Sequence, residues 1–317
     1  MISRLAPPFS TRRLVLQVAR QAVREPRRLG HRVNRQNLAA WRHHRRTVAR
    51  CNLCGHQGPL HYELPDLATF RHHHIEPLRE TLRCRGCGAK MRDRVLAAAL
   101  LEALAERGVH AETIDELADR LPEGLRILDT DAHSRIARRL RHHPGVVRSL
   151  FLPGRDNGEM LDDERMLNVD LERMPFPDRS FDIVITSEVM EHVRYADVAH
   201  REIARCLTDS GSYLFTVPYD PALEHTWRLI DPVTDLPLVL PMHIHGDPMI
   251  RGEGIKSYRV FGRDLVDDLA AAGLRARFAP VHRPELGIFD GDLFVATRVP
   301  SSAAAGSSAT TAEVGHG

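Results

Sequence analysis

Residues Asp170–Val193, DLERMPFPDRSFDIVITSEVMEHV, decide the reading of this chain. Within them Phe181–Thr186 (FDIVIT) is short, β-branched and apolar, as a central strand covered on both faces requires. A Pro-Phe-Pro turn leads into it. The polar residues Ser187, Glu188, Glu191 and His192 follow where the strand would emerge. Open α/β sheets bind ligands outside the carboxyl ends of their strands, so chemistry is expected at this cluster.

Working outward, strand and helix patterns alternate. Ile127–Asp129 reads as a first strand, Val146–Phe151 as a second, Met166–Val169 as a third, FDIVIT as the fourth and Tyr213–Val217 as the fifth. Helices fit Arg94–Arg107, Ser134–Arg141 and Ala196–Leu207; the last has Ala199, Ile203, Cys206 and Leu207 on one face. Asp264 can cap a further helix that ends before Gly273. Leu274–Val281 and Asp292–Val299 fit two closing strands, the last an antiparallel addition. The alternation predicts a doubly wound α/β sheet.

Charge is close to balanced, with 44 basic and 42 acidic residues, but it is unevenly distributed. The first fifty residues carry thirteen arginines and one acid, Glu25. This stretch reads as a basic extension, either a solvated arm or a helix lying on an acidic surface. No run of eighteen apolar residues occurs, so no membrane span is expected. The N-terminus has no secretory core, and the chain is expected to be cytoplasmic. Residues 300–317 cannot bury a core and are expected to be disordered.

Four of the five cysteines form two pairs, Cys51-x-x-Cys54 and Cys84-x-x-Cys87, separated by 29 residues. Each pair can present two sulfurs to one tetrahedral zinc, and Gly55, Gly86 and Gly88 allow the tight turns. Four thiolates leave no open position, so the expected Zn²⁺ is structural. A redox pair is the competing reading. His72, His73 and His74 lie between the pairs and are expected at the surface, with one of them a possible substitute ligand. Cys206 is expected to be a buried structural thiol.

From Asp170 to Val193, and on through REIARCL (Arg201–Leu207), DSG (Asp209–Gly211) and YLFTVP (Tyr213–Pro218), the chain resembles class I S-adenosylmethionine-dependent methyltransferases of the type 11 group. The likeness extends less sharply to HIHGDP (His243–Pro248) and VFGRDLVDDLAAAGL (Val260–Leu274). It implies a Rossmann-like methyltransferase sheet over 95–299, preceded by a zinc-knuckle module over 51–94. It further implies that S-adenosyl-L-methionine binds with Asp170 and Leu171 beside the adenine and Ser187 and Glu188 at the methionine end. The family's glycine-rich first loop is replaced by ILDTDAHSRIARRL (Ile127–Leu140), in which Asp129 and Asp131 are the substitute carboxylates. No acid ends the second strand; Asp156 and Glu159 come later.

Residues 218–262 form an insertion on the substrate side of the fifth strand, long enough to suggest a functional role. Within it His243, His245 and Asp247 are the candidate catalytic base and carboxylate, since histidine accepts a proton near neutral pH. Pinning of a lid by hydrogen bonds is the plainer role for the same residues. His192 is expected to be bonded to backbone rather than catalytic.

The sequence therefore points to a methyltransferase acting on a small molecule, a sugar or secondary metabolite. A second reading, resting on the glycine-free loop, is a catalytically silent methyltransferase-like binding protein. A third is nucleic-acid binding through the basic arm and zinc module, less favoured because no aromatic stacking platform is evident.

Overall fold

The computed structural model describes residues 44, 46–63, 78–131, 133–161, 165–240, 242, 244, 245 and 254–299. Most of the basic extension, His72–His74, His243, Asp247 and the tail 300–317 lie outside them. Seven strands form the central sheet: β1 Ile127–Asp129, β2 Val146–Leu150, β3 Met166–Asn168, β4 Phe181–Ser187, β5 Leu207–Thr216, β6 Leu274–Phe278 and β7 Phe294–Arg298. Their order is β6-β7-β5-β4-β1-β2-β3. The five strands from β3 to β5 run parallel, and β7 is antiparallel to both β5 and β6. This is the doubly wound, Rossmann-like arrangement expected of a class I methyltransferase, with the last strand inserted as an antiparallel addition.

The sheet has two apolar faces because its strands alternate. Ile127, Ile183, Ile185 and Leu214 face one hydrophobic cluster, whereas Leu128, Val184, Tyr213 and Phe215 face another. The first cluster is filled by α1 (Met91–Ala105), α2 (Ile114–Ala118) and α3 (Arg135–Leu140). It also contains Cys51, Leu53, Leu82 and Cys84, so the cysteine pairs belong to the same apolar layer as the sheet. The second is filled by α4 (Ala196–Cys206) and α5 (Leu265–Ala271).

Two elements begin earlier than the sequence pattern indicates. Helix α1 begins at Met91 rather than Arg94, because the Lys90 amide donates to the Asp93 carboxylate (2.7 Å) and starts the helix there. Strand β5 begins at Leu207 rather than Tyr213. Leu207 pairs with Phe181, but the next pairing is Ser212 with Ile183, so the Asp209-Ser210-Gly211 segment bulges within the strand instead of preceding it. A Cβ on Gly211 would lie 2.9 Å from the Thr208 carbonyl oxygen, which is why the bulge requires glycine.

Arg94 ties the layers together. Its side chain is fully buried and donates to the carbonyls of Ala89 (2.8 Å), Leu82 (3.2 Å) and Gly287 (2.8 Å). Gly287 lies in the connection between β6 and β7, so one guanidinium joins the cysteine segment, α1 and the far edge of the chain. No helix among the described residues is long and apolar enough to cross a membrane.

Candidate functional site

The sheet order reverses between β1 and β4, which places a crevice outside their carboxyl ends, where doubly wound folds bind ligands. Side chains hold the β1 side of this crevice. Asp129 is buried; its carboxylate accepts from the Asp131 amide (3.0 Å) and from the Ser134 hydroxyl (2.7 Å). Ser134 in turn caps α3 by accepting from the Ala137 amide (2.8 Å), and Asp131 accepts from the His133 amide (3.1 Å). Thr130 donates to the Ile185 carbonyl through both its amide and its hydroxyl, which fastens the loop to β4. A turn that glycine would leave open is thus built from carboxylates and a hydroxyl. Burial, reinforced by the neighbouring Asp131, pushes the Asp129 carboxyl up to about 8.

On the β4 side Ser187 is buried and Glu188 follows it with φ of 55°. The left-handed conformation is costly for glutamate and is a form of strain that concentrates at functional sites. Glu191 is fully buried just beyond, and burial together with the charge of Glu188 raises its carboxyl well above the ordinary range. His192 donates from Nδ1 to the Lys256 carbonyl (2.7 Å), the backbone role expected of it. The insertion grips the same loop: the Tyr258 amide donates to the Glu191 carbonyl (2.8 Å), and Arg259 donates to the carbonyls of Met190 (3.2 Å) and Arg194 (2.6 Å).

Charged residues from the cysteine segment, which the sequence analysis had not singled out, close over this mouth. Arg79, on a single helical turn at Leu78–Thr81, pairs with Glu188 and donates to the Val217 carbonyl beyond β5 (3.3 Å). Arg92, on the first turn of α1, lies 2.9 Å from Glu80 and donates to the Ser187 hydroxyl (3.3 Å). Lys90 also pairs with Glu80 (2.6 Å). Burial alone would raise Glu80, but Arg92, Lys90 and Arg79 hold its carboxyl down at about 2. The contacts to Ser187, Glu188 and Val217 join residues far apart in the chain, and a sequence offers no periodicity by which to find them.

Of the other residues expected to contact a cofactor, Asp170 and Leu171 follow β3, two strands away from β1. Asp170 accepts from the Glu172 amide (2.9 Å), and Leu171 is buried. Phe151 stands at the carboxyl end of β2 and is 55% exposed. Asp156 and Glu159 instead bond to each other's segment, the Asp156 amide donating to the Glu159 carboxylate (3.1 Å). Of the expected catalytic trio, His243 and Asp247 lie outside the described residues. His245 is placed only through its backbone, in a two-residue strand Ile244–His245 paired with Ile255–Lys256. Cys206 is buried in the core as expected, and burial pushes its thiol up to about 11.

The four paired cysteines converge. Their sulfurs all lie within 4.8 Å of one another, with Cys51–Cys87 and Cys54–Cys84 each at 3.8 Å. A tetrahedron with metal–sulfur bonds of about 2.3 Å has edges of about 3.8 Å, so the donor set fits one zinc ion. The two halves repeat the same turn. The amides of Gly55 and Gly88 donate to the carbonyls of Cys51 and Cys84 (2.8 Å each), and both glycines have positive φ, at 71° and 73°.

Residues 152–215 match the family described as a methyltransferase domain. The match runs from just after β2 through all but the last residue of β5, about a fifth of the chain. No curated protein matches. Among solved structures, a S-adenosylmethionine-dependent methyltransferase from Mesorhizobium loti is similar at 21% identity and a TM-score of 0.33, over 58% of this chain and 99% of that one. A complex of the Haloferax volcanii Trm112 methyltransferase activator with a putative methyltransferase gives 18% identity and 0.37, over 64% and 95%. YcgJ from Bacillus subtilis gives 16% and 0.36, over 63% and 99%. At such TM-scores these likenesses decide neither fold nor activity.

Proposed function

We propose that this chain is a S-adenosylmethionine-dependent methyltransferase acting on a small-molecule acceptor, a sugar or secondary metabolite, with a structural zinc ion on Cys51, Cys54, Cys84 and Cys87. In this reading 51–94 is the zinc module, 95–299 the methyltransferase-like domain and 218–262 its substrate-side insertion. The observation that carries it is the charged crevice at the β1–β4 switch point, within a sheet whose β3–β5 segment matches the methyltransferase domain family.

The donor set in the crevice suits the cofactor's amino-acid end. Carboxylates of Asp131 and Glu188 stand among the guanidinium groups of Arg79 and Arg92, so an ammonium and a carboxylate both find a partner of opposite charge. When bound, S-adenosylmethionine supplies an electrophilic methyl group on a sulfonium. Ser187 and Glu188 hold the amino-acid end, and Asp170 with Leu171 receives the adenine. The protein's main task in such a transfer is to align the acceptor with the methyl group and exclude water. The insertion, pinned to the β4 mouth through His192, Tyr258 and Arg259, serves as the acceptor-side wall. His243, His245 and Asp247 are its candidates for taking the acceptor's proton.

Asp131, His133 and the Asp129–Ser134 bond favour a second reading, a silent methyltransferase-like binding protein whose first loop has lost the space left by glycine. Incubation of the full chain with methyl-labelled S-adenosylmethionine and a panel of sugars and secondary metabolites separates the two. Label on an acceptor supports the enzyme. Cofactor binding without transfer to any acceptor supports the silent protein.

A further inference from the structure

Arg92 bridges the two strands that bound the switch-point crevice. It donates to Ser187 at the end of β4, and its charge is felt by Asp131 just beyond β1. Its side chain is only 16% exposed, and it emerges from the first turn of α1, immediately after the second cysteine knuckle. It therefore stands at the carboxyl end of β4, where doubly wound sheets bind ligands. Arg79 lies one strand further along, over β4 and β5, and is occupied by Glu188 and the Val217 carbonyl.

We infer that Arg92 takes the carboxylate of the cofactor's amino-acid end in exchange for Glu80, its partner 2.9 Å away. This inference rests on the cofactor reading above. A guanidinium presents a planar fork that takes a carboxylate through two parallel hydrogen bonds. Glu80 uses one edge of Arg92 while also serving Lys90 and lying 4.0 Å from Arg79, so it can release Arg92 and keep other cationic partners. The methionine end is the only part of S-adenosylmethionine or S-adenosylhomocysteine that carries a carboxylate. The cysteine segment is then more than a covering. It supplies a wall of the binding crevice, and its metal holds that wall in place.

The test compares two probes on the full, zinc-loaded chain by calorimetric titration: S-adenosylhomocysteine and 5′-methylthioadenosine, which lacks the amino-acid end. The wild type is expected to bind S-adenosylhomocysteine more tightly. In Arg92→Gln that affinity should fall by about tenfold or more while 5′-methylthioadenosine binding is unchanged. Arg92→Lys keeps the charge without the fork and should show a smaller loss on the same probe; it serves as the readout if Arg92→Gln does not fold. Equal loss on both probes, or no loss on S-adenosylhomocysteine, overturns the inference and leaves the cofactor reading standing. A wild type that binds 5′-methylthioadenosine and S-adenosylhomocysteine equally overturns it as well. A wild type that binds neither overturns the cofactor reading, and this inference falls with it.

Discussion

The cysteine cluster and the switch-point crevice lie in neighbouring parts of the same protein but are assembled in opposite ways. Four sulfurs within 4.8 Å come from two nearly identical local turns, each closed by a positive-φ glycine. The crevice draws on five separate segments: the β1 loop, the β4 end, the Leu78–Thr81 turn, the start of α1 and the insertion. One site satisfies a single geometry and leaves its donors no alternative partners. The other keeps its donors paired with each other, Glu80 with Arg92 and Glu188 with Arg79, in bonds that a ligand can exchange. A site built from local turns fixes structure, whereas one built from exchangeable ion pairs can accept a guest.

Breaking the local site should have the largest effect. Cys84→Ser should abolish stoichiometric zinc in metal analysis and lower stability on the order of 5 kcal/mol in denaturant melts, because metal binding is coupled to folding. Next is the residue joining both regions. Arg94→Met removes a buried cation and leaves the carbonyls of Ala89, Leu82 and Gly287 without their donor, for an expected loss of about 3 kcal/mol.

The crevice should show itself through pH. Asp129 has its folded-state pKa raised from 3.8 to about 8, so its contribution is fully present below pH 4 and is lost as pH rises through 8. Wild-type stability should fall across that window on the order of 5 kcal/mol, and Asp129→Asn should flatten the decline in urea titrations at several pH values. Glu80 behaves in the opposite sense. Its pKa is lowered from 4.5 to about 2, so its contribution is present above pH 4.5 and lost as pH falls toward 2. Glu80→Gln should cost about 1–2 kcal/mol at pH 7 and remove that acid-side dependence in the same titrations.

The sequence made the two regions legible to different degrees, for physical reasons. The cysteine spacing and the FDIVIT strand are local signals, and both correspond to the structure. The chain order of the sheet followed from alternation alone, because each strand carries its own apolar pattern. The bulge at Asp209–Gly211 was not foreseen, since a register shift depends on the partner strand Phe181–Ser187 rather than on the residues that bulge. The β1 loop could be seen to lack glycine, but not that Asp129 and Ser134 brace it from within. Arg79 and Arg92 were missed because their contacts with Glu188 and Ser187 reach across most of the sheet's sequence, and Glu80 because its partners Lys90 and Arg92 leave no pattern in a chain already rich in arginine.

Binding of S-adenosylmethionine in the β1–β4 crevice, despite its glycine-free loop, is tested by calorimetric titration of the full, zinc-loaded chain with S-adenosylhomocysteine. The expected result is saturable one-to-one binding at micromolar ligand, weakened in Glu188→Gln. No heat and no thermal stabilisation at millimolar ligand, from a chain that melts cooperatively and carries one zinc, would contradict it.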